Sequence, residues 1–183
     1  NISSYIPTSG STVTRNQDVC TNGGSLATIN STEGVLYAEI AALANDGTNR
    51  FISITDGTTA NRVLFKYDNA LNRIRVNVVS GGIIEGNLTF IASDVLDFLK
   101  IAVKYKENDF ALWINGIEVD TDNSGTTPIG LNALEFANGI GGGNFFGKTK
   151  ALAVWKEALS DQELADLTYP TPTDPTFTLD FDT

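Results

Sequence analysis

LKIAVKYKENDFALWINGIEV, Leu99 to Val119, reads as three consecutive antiparallel strands, because apolar and polar residues alternate with period two and turn chemistry punctuates them. Ile101, Val103 and Tyr105 share one face of the first strand, and the polar run Lys106 to Asp109 turns the chain. Phe110, Leu112 and Ile114 share one face of the second strand, while Ala111 and Trp113 share the other. Asn115-Gly116 follows at once and suits a type I′ turn, in which both central residues need positive φ. Ile117 to Val119 is then a third strand, held in register against the second. Such a meander is unstable alone and needs a second sheet over its apolar face.

Working outward, the same alternation predicts strands at Val35 to Leu43, Phe51 to Thr55, Arg62 to Tyr67, Arg73 to Val79 and Ile83 to Ile91, with Asn/Asp/Gly-rich turns between them. The small residues of Val35 to Leu43 also suit a helix, but Gly34 before them and the neighbouring strands favour β. Ile74, Val76 and Val78 oppose Arg73, Arg75 and Asn77, so that strand is half exposed. Asn1 to Asn30, rich in Ser, Thr, Gly and Asn, reads as mostly irregular. Downstream, Asp120 to Leu131 is a long loop, Asn132 to Phe136 a short strand and Gly139 to Gly143 a glycine loop. Phe145 to Trp155 is a long strand with Phe145, Gly147, Thr149, Ala151, Ala153 and Trp155 facing one way. Ser160 to Leu167 is the one convincing helix, since Ser160-x-x-Glu163 is a capping box and Leu159, Leu164 and Leu167 lie on one side. Together these elements describe an all-β antiparallel sandwich with one short C-terminal helix.

The hairpin KIAVKYKENDFALWINGIEV resembles the central hairpin of laminin-G-like domains in the concanavalin A-like lectin/glucanase superfamily. KTKALAVWKEALSDQELADLT, Lys148 to Thr168, is similar to the last core strand and closing helix of that family, and SYIPTSGSTVTR, Ser4 to Arg15, resembles segments of phage tail and virion-associated proteins that carry such domains. The resemblance implies a jelly-roll sandwich over residues 1–168. It implies little about function, because this architecture hosts lectins, enzymes and structural modules.

The tail departs from that pattern. Residues 169–176 begin YPTPTDP, with three prolines in seven residues, and read as a semi-rigid linker. Residues 177–183 follow as a strand with Phe177, Leu179 and Phe181 on one face. Family members would carry a strand of this character near the N-terminus. The tail strand therefore either completes its own sandwich or adds to a neighbouring copy's open edge, giving a homo-oligomer or filament.

A chain of 183 residues fits one domain that buries roughly 70% of its unfolded surface. Its formal net charge of −10 argues against nucleic acid as a partner, and no apolar run approaches the roughly 20 residues that span a bilayer. Cys20 is the single cysteine, so no internal disulfide forms, and a small buried thiol is its plain reading. The chain has no Met and opens on Asn1, which leads us to expect a processed product or fragment with any signal peptide out of view.

With no histidine in the sequence, His-ligated zinc and Ser-His-Asp or Cys-His nucleophiles are excluded. No Glu-x-Asp-x-x-Glu run supplies paired carboxylates for glycoside hydrolysis; Glu39 and Glu135 each stand alone in a strand. Calcium is the plausible ion, held by Asp120 and Asp122 in DTDNSG or by Asp46, Asp56 and Asp68 if these converge on one rim; the plain alternative is a set of Asx turns. Carbohydrate binding needs an exposed ring flanked by planar polar groups, for which strand parity offers Trp113, Tyr37, Tyr67, Arg73 and Arg75, although Trp113 and Trp155 also suit a core. The sequence thus points to a non-catalytic module on a virion or outside the cell, part of a phage appendage or secreted adhesin, that recognises a cell-surface glycan. The alternative is a structural subunit assembled through Phe177, Leu179 and Phe181.

Overall fold

Alternating strands must pair so that their apolar faces meet, and the chain does this with ten strands among the described residues. They are β1 (Glu33–Ala42), β2 (Arg50–Thr55), β3 (Arg62–Tyr67), β4 (Arg73–Ser80), β5 (Ile83–Ile91), β6 (Leu99–Lys106), β7 (Phe110–Ile114), β8 (Ile117–Asp122), β9 (Ala133–Glu135) and β10 (Gly147–Trp155), followed by helix α1 (Asp161–Thr168). The computed structural model describes Cys20 and residues 23–170. Most of the irregular N-terminal stretch, the linker beyond Pro170 and the strand carrying Phe177, Leu179 and Phe181 lie outside the described residues.

Two five-stranded antiparallel sheets result, in the orders β10-β1-β6-β7-β8 and β5-β4-β3-β2-β9. Their facing surfaces form one core, with Leu36, Ile40, Ile101, Val103, Tyr105, Phe110 and Leu112 from the first meeting Ile52, Ile54, Phe65, Ile74, Val76 and Val78 from the second. The meander is as its alternation requires. Asn115 and Gly116 have φ of 51° and 86°, the pair of left-handed residues that a type I′ turn demands.

Three expectations change. β8 does not keep simple register: Trp113 lies opposite Glu118 but Leu112 opposite Asp120, so Val119 is a bulge. β8 also runs on to Asp122, where a loop is expected, because the Asp120 carboxylate accepts a hydrogen bond from the Thr89 amide (2.8 Å) and ties it to β5. Finally, Phe145 to Trp155 does not keep one face. Glu39 pairs with Ala151 and Ile40 with Thr149, leaving Lys150 as the extra residue. That bulge flips the phase, so Ala151, Ala153 and Trp155 point outward while Phe145 packs in the core against Tyr67 and Phe136.

The first sheet is apolar on both faces. Val35, Tyr37, Ala102, Ala111 and Trp113 form a second buried cluster on its outer side, sealed by Leu164 of α1 with Leu159 and Leu167 beside it. The helix begins as the sequence predicts: the Ser160 hydroxyl accepts from the Glu163 amide, and the Glu163 carboxylate accepts from the Ser160 amide at 2.8 Å.

One close approach locks the first sheet's edge. A Cβ at Gly34 would stand 2.5 Å from both the Trp155 carbonyl oxygen and the Tyr105 hydroxyl, which itself donates to the Asn30 carbonyl at 2.6 Å. Gly34→Ala is therefore expected to destabilise the domain by about 1–3 kcal/mol, read as a melting temperature lowered by about 2–4 °C per kcal/mol in a chain of this size. An unchanged melting temperature would show that the backbone relaxes there at no cost.

Candidate functional site

Among the described residues no helix lies over the outer face of the second sheet, and register builds that face row by row. Because Ile52, Ile54, Val63, Phe65, Ile74, Val76 and Val78 point to the core, the residues between them point out. Arg75 stands beside Thr89 on one side and Lys66 on the other, and Lys66 stands beside Phe51. In the next row Asn87, Asn77, Leu64, Ser53 and Glu135 follow one another across all five strands. Arg62 lies one row further, and Arg73 at the opposite end. Phe51, Lys66, Arg75 and Asn77 are half-buried and Asn87 is exposed, while Leu64 and Ser53 at the centre are buried, so the accessible part of the face lies along β4, β5 and the Lys66 row.

The glycine loop walls this face. The Phe51 amide donates to the Gly143 carbonyl (2.9 Å), the Ser53 hydroxyl to the Ala137 carbonyl (2.7 Å), and the Arg62 guanidinium to the Asn138 carbonyl. Asn138 holds the loop's shape, its side-chain oxygen accepting from the amides of Ile140 (3.2 Å) and Gly142 (3.0 Å). The Lys66 ammonium lies 5.3 Å from the Phe51 ring centroid, within cation–π range.

Four cations share the face, with Asp68 among them and Glu135 at its β9 side. Asp68, 4% exposed, meets Arg73 Nη2 at 3.0 Å and Arg75 Nε at 2.8 Å. The Arg75 contact is a charge pair only, since neither Arg75 Nε nor Asp68 Oδ2 makes a hydrogen bond. Burial works to raise the Asp68 carboxyl, but the hydrogen bonds from Arg73 and the Asn69 amide, with the charges of Lys66 and Arg75, outweigh it and hold it below the usual carboxylate range. Lys66 is pushed the other way. Burial lowers its ammonium, and Arg75, Arg62 and Arg73 lower it further against the single opposing pull of Asp68.

The residues singled out in the sequence scatter over this frame. Arg73 and Arg75 lie on the open face. Tyr67 is in the core, stacked on Phe145, with a buried hydroxyl that has no partner among the described residues. Trp113 and Tyr37, each 7% exposed, lie beneath α1 on the other sheet and offer no ring to solvent, Tyr37 packing edge-on to Trp155 at 6.1 Å. Parity puts them on an outer face, but the helix covers that face. Lys66, Arg62, Phe51, Asn77 and Asn87 are the additions, found only once the pairing of β2 to β5 aligns them with Arg75.

The aspartates do not gather. Asp46 grips Arg50 through both carboxylate oxygens at 2.9 Å, and Asp56 caps its own turn, accepting from the Thr58 amide (2.8 Å) and Asn61 (2.9 Å). Arg50 opposes Tyr67 and Thr55 opposes Arg62, so Asp46 and Asp68 sit at one end of the β2–β3 pair and Asp56 at the other, against the expectation of one rim. Asp122 accepts from the Ser124 amide (3.1 Å), closing an Asx turn. Among the described residues no three of His, Cys, Asp and Glu come together as a metal cluster. Cys20 is half-buried, its thiol donating weakly to the Leu134 carbonyl at 3.5 Å; burial raises its pKa. Glu39 pairs with Lys150 at 3.3 Å. Among the described residues no helix is long and apolar enough to cross a membrane.

No family model and no curated protein matches the sequence. Solved structures match the fold. The CBM40 module of the Ruminococcus gnavus IT-sialidase aligns with 85% of this chain and 96% of its own at 16% identity and a TM-score of 0.64, and one structure of that module is bound to α2,3-sialyllactose. The leech intramolecular trans-sialidase aligns over 78% of this chain at 20% identity and a TM-score of 0.60, and the chain spans only 24% of that enzyme. Domains LG4-5 of the mouse laminin α1 chain align over 79% of this chain and 41% of theirs, at 10% identity and a TM-score of 0.54. The chain thus shares the two-sheet all-β sandwich fold of these structures.

The charge pattern sets an acid limit. In Asp46 the hydrogen bonds from Arg50 and the Thr48 amide, and in Asp68 those from Arg73 and the Asn69 amide, keep the folded carboxylates below their unfolded value of about 3.9. The unfolded chain therefore takes up protons first as pH falls, so stability is full above that range and is lost below it. The melting temperature is expected to be level near neutral pH and to drop from about pH 5 downward, with a shallower drop for Asp68→Asn. A melting temperature that rises between pH 5 and pH 3 would contradict this assignment.

Proposed function

We propose that the chain is a non-catalytic glycan-binding module and that the open face of the second sheet reads an acidic saccharide. The observation that carries the reading is the gathering of Arg62, Lys66, Arg73 and Arg75 on one sheet face that no helix covers among the described residues, in a chain whose net charge is −10. Asp68 offsets one of these charges, and Lys66 makes no ion pair among the described residues. A sugar carboxylate beside Lys66 would relieve the crowding that lowers its ammonium. Asn77 and Asn87, joined by a hydrogen bond at 3.2 Å, offer amide donors and acceptors for hydroxyls, and the half-buried Phe51 ring offers a surface for C–H groups.

The likeness to a module whose structure holds sialyllactose supports this reading. So does the site's chemistry, which among the described residues supplies donors and charge but no pair of free carboxylates: Asp68 is locked between arginines and Glu135 stands apart from it. On this reading the module is displayed outside a cell, on a secreted adhesin or a phage appendage, where several copies turn weak single sites into firm attachment.

Calorimetry with α2,3-sialyllactose against lactose tests the proposal. The acidic sugar is expected to bind and the neutral one not. Lys66→Ala should weaken binding by about tenfold or more, the loss of one charge-assisted contact, with the melting temperature kept. Equal affinity for both sugars, or full affinity in Lys66→Ala, would overturn it.

A further inference from the structure

The edge of the sandwich at β10 is backed by an apolar cleft. Among the described residues, β10 ends its sheet with no strand on its outer side. The facing edge at β9 is taken, since Gly23 pairs with Leu134 and the Phe136 amide donates to the Cys20 carbonyl. Between them lies a cleft of about 310 Å³ lined by Gly23, Ile29, Leu134, Leu152 and Val154. Leu152 and Val154 are only partly buried although they pack on the main core.

We propose that residues 177–181 of the same chain dock on β10 as an added strand and fill this cleft with Phe177, Leu179 and Phe181. Their period-two spacing is that of a strand with one apolar face, which matches a paired edge backed by an apolar gap. Thr178 and Asp180 would then fall on the outer side, where Lys150 stands exposed with Lys148 nearby. Charge selects this edge over the first sheet's other one, because β8 carries Glu118, Asp120 and Asp122. The reach is sufficient. The Tyr169 carbonyl is held by Lys100 of β6 at 2.9 Å, and a strand outside β10 lies three strand spacings from β6, about 14 Å. Seven Pro-rich residues, 170–176, span about 22 Å. This inference is independent of the glycan reading.

The test compares amide exchange and mass in the full chain and in a chain lacking residues 171–183. Docking within the chain predicts a monomer in both, with exchange of the outward amides of residues 148–154 faster by roughly tenfold or more after truncation. Leu179→Asp in the full chain should do the same, which keeps the test readable if the truncated chain does not fold. Unchanged exchange in Leu179→Asp would overturn the proposal. A full chain that runs as a dimer or larger, with β10 protection that fades on dilution, would overturn it in favour of strand exchange between copies.

Discussion

The constraint on which the molecule rests is that the first sheet is buried on both faces, while the second keeps part of its outer face accessible, chiefly along β4 and β5. β7, Phe110–Ile114, is buried along its whole length, and β1 is buried at every position but its first and Glu39. Such strands need two covers. The second sheet supplies one and α1 the other, through Leu164 lodged against Val35, Ala111 and Trp113. A sheet enclosed in this way has no open face, so the proposed recognition falls to the strands that alternate. β4 is the clearest, with Ile74, Val76 and Val78 buried and Arg73, Arg75 and Asn77 only partly so.

This asymmetry separates what the sequence makes legible from what it hides. Strand positions and the capped helix can be read directly, because alternation, Asn-Gly and Ser-x-x-Glu act over a few residues. The bulge at Lys150 is hidden, since a phase flip in β10 is visible only against its partner β1. The candidate site is half legible for the same reason. Arg73 and Arg75 alternate with apolar neighbours in their own strand. Trp113 and Tyr37 also alternate, and parity gives no sign of which outer face a helix will cover. Lys66 and Arg62 become part of a site only through pairing with β4, a relation between positions nine or more apart in the chain.

Asp68 links fold and site. Buried between Arg73 and Arg75, it is costly to place there, and the two guanidiniums and the Asn69 amide offset that cost. In return the arginines are held against Asp68, and the four cations less Asp68 leave three net positive charges, one at the Arg73–Asp68–Arg75 group and one each at Lys66 and Arg62. The face is preorganised to that extent, so an anion meeting it would not have to order these side chains itself.

The proposed ligand must still approach a chain of net charge −10. Beyond a screening length of about 8 Å at physiological salt that charge is largely masked. Within it, the four cations of one sheet face dominate, and their partial burial lowers the screening that exposed charges suffer. An anionic sugar is therefore neither drawn in from far away nor held by diffuse attraction. On the proposed reading it would be held where its carboxylate meets Lys66 beside Arg75 and its hydroxyls meet Asn77 and Asn87. Discrimination on such a surface would come from the contact itself, because the net charge of −10 gives a polyanion no long-range attraction to the chain.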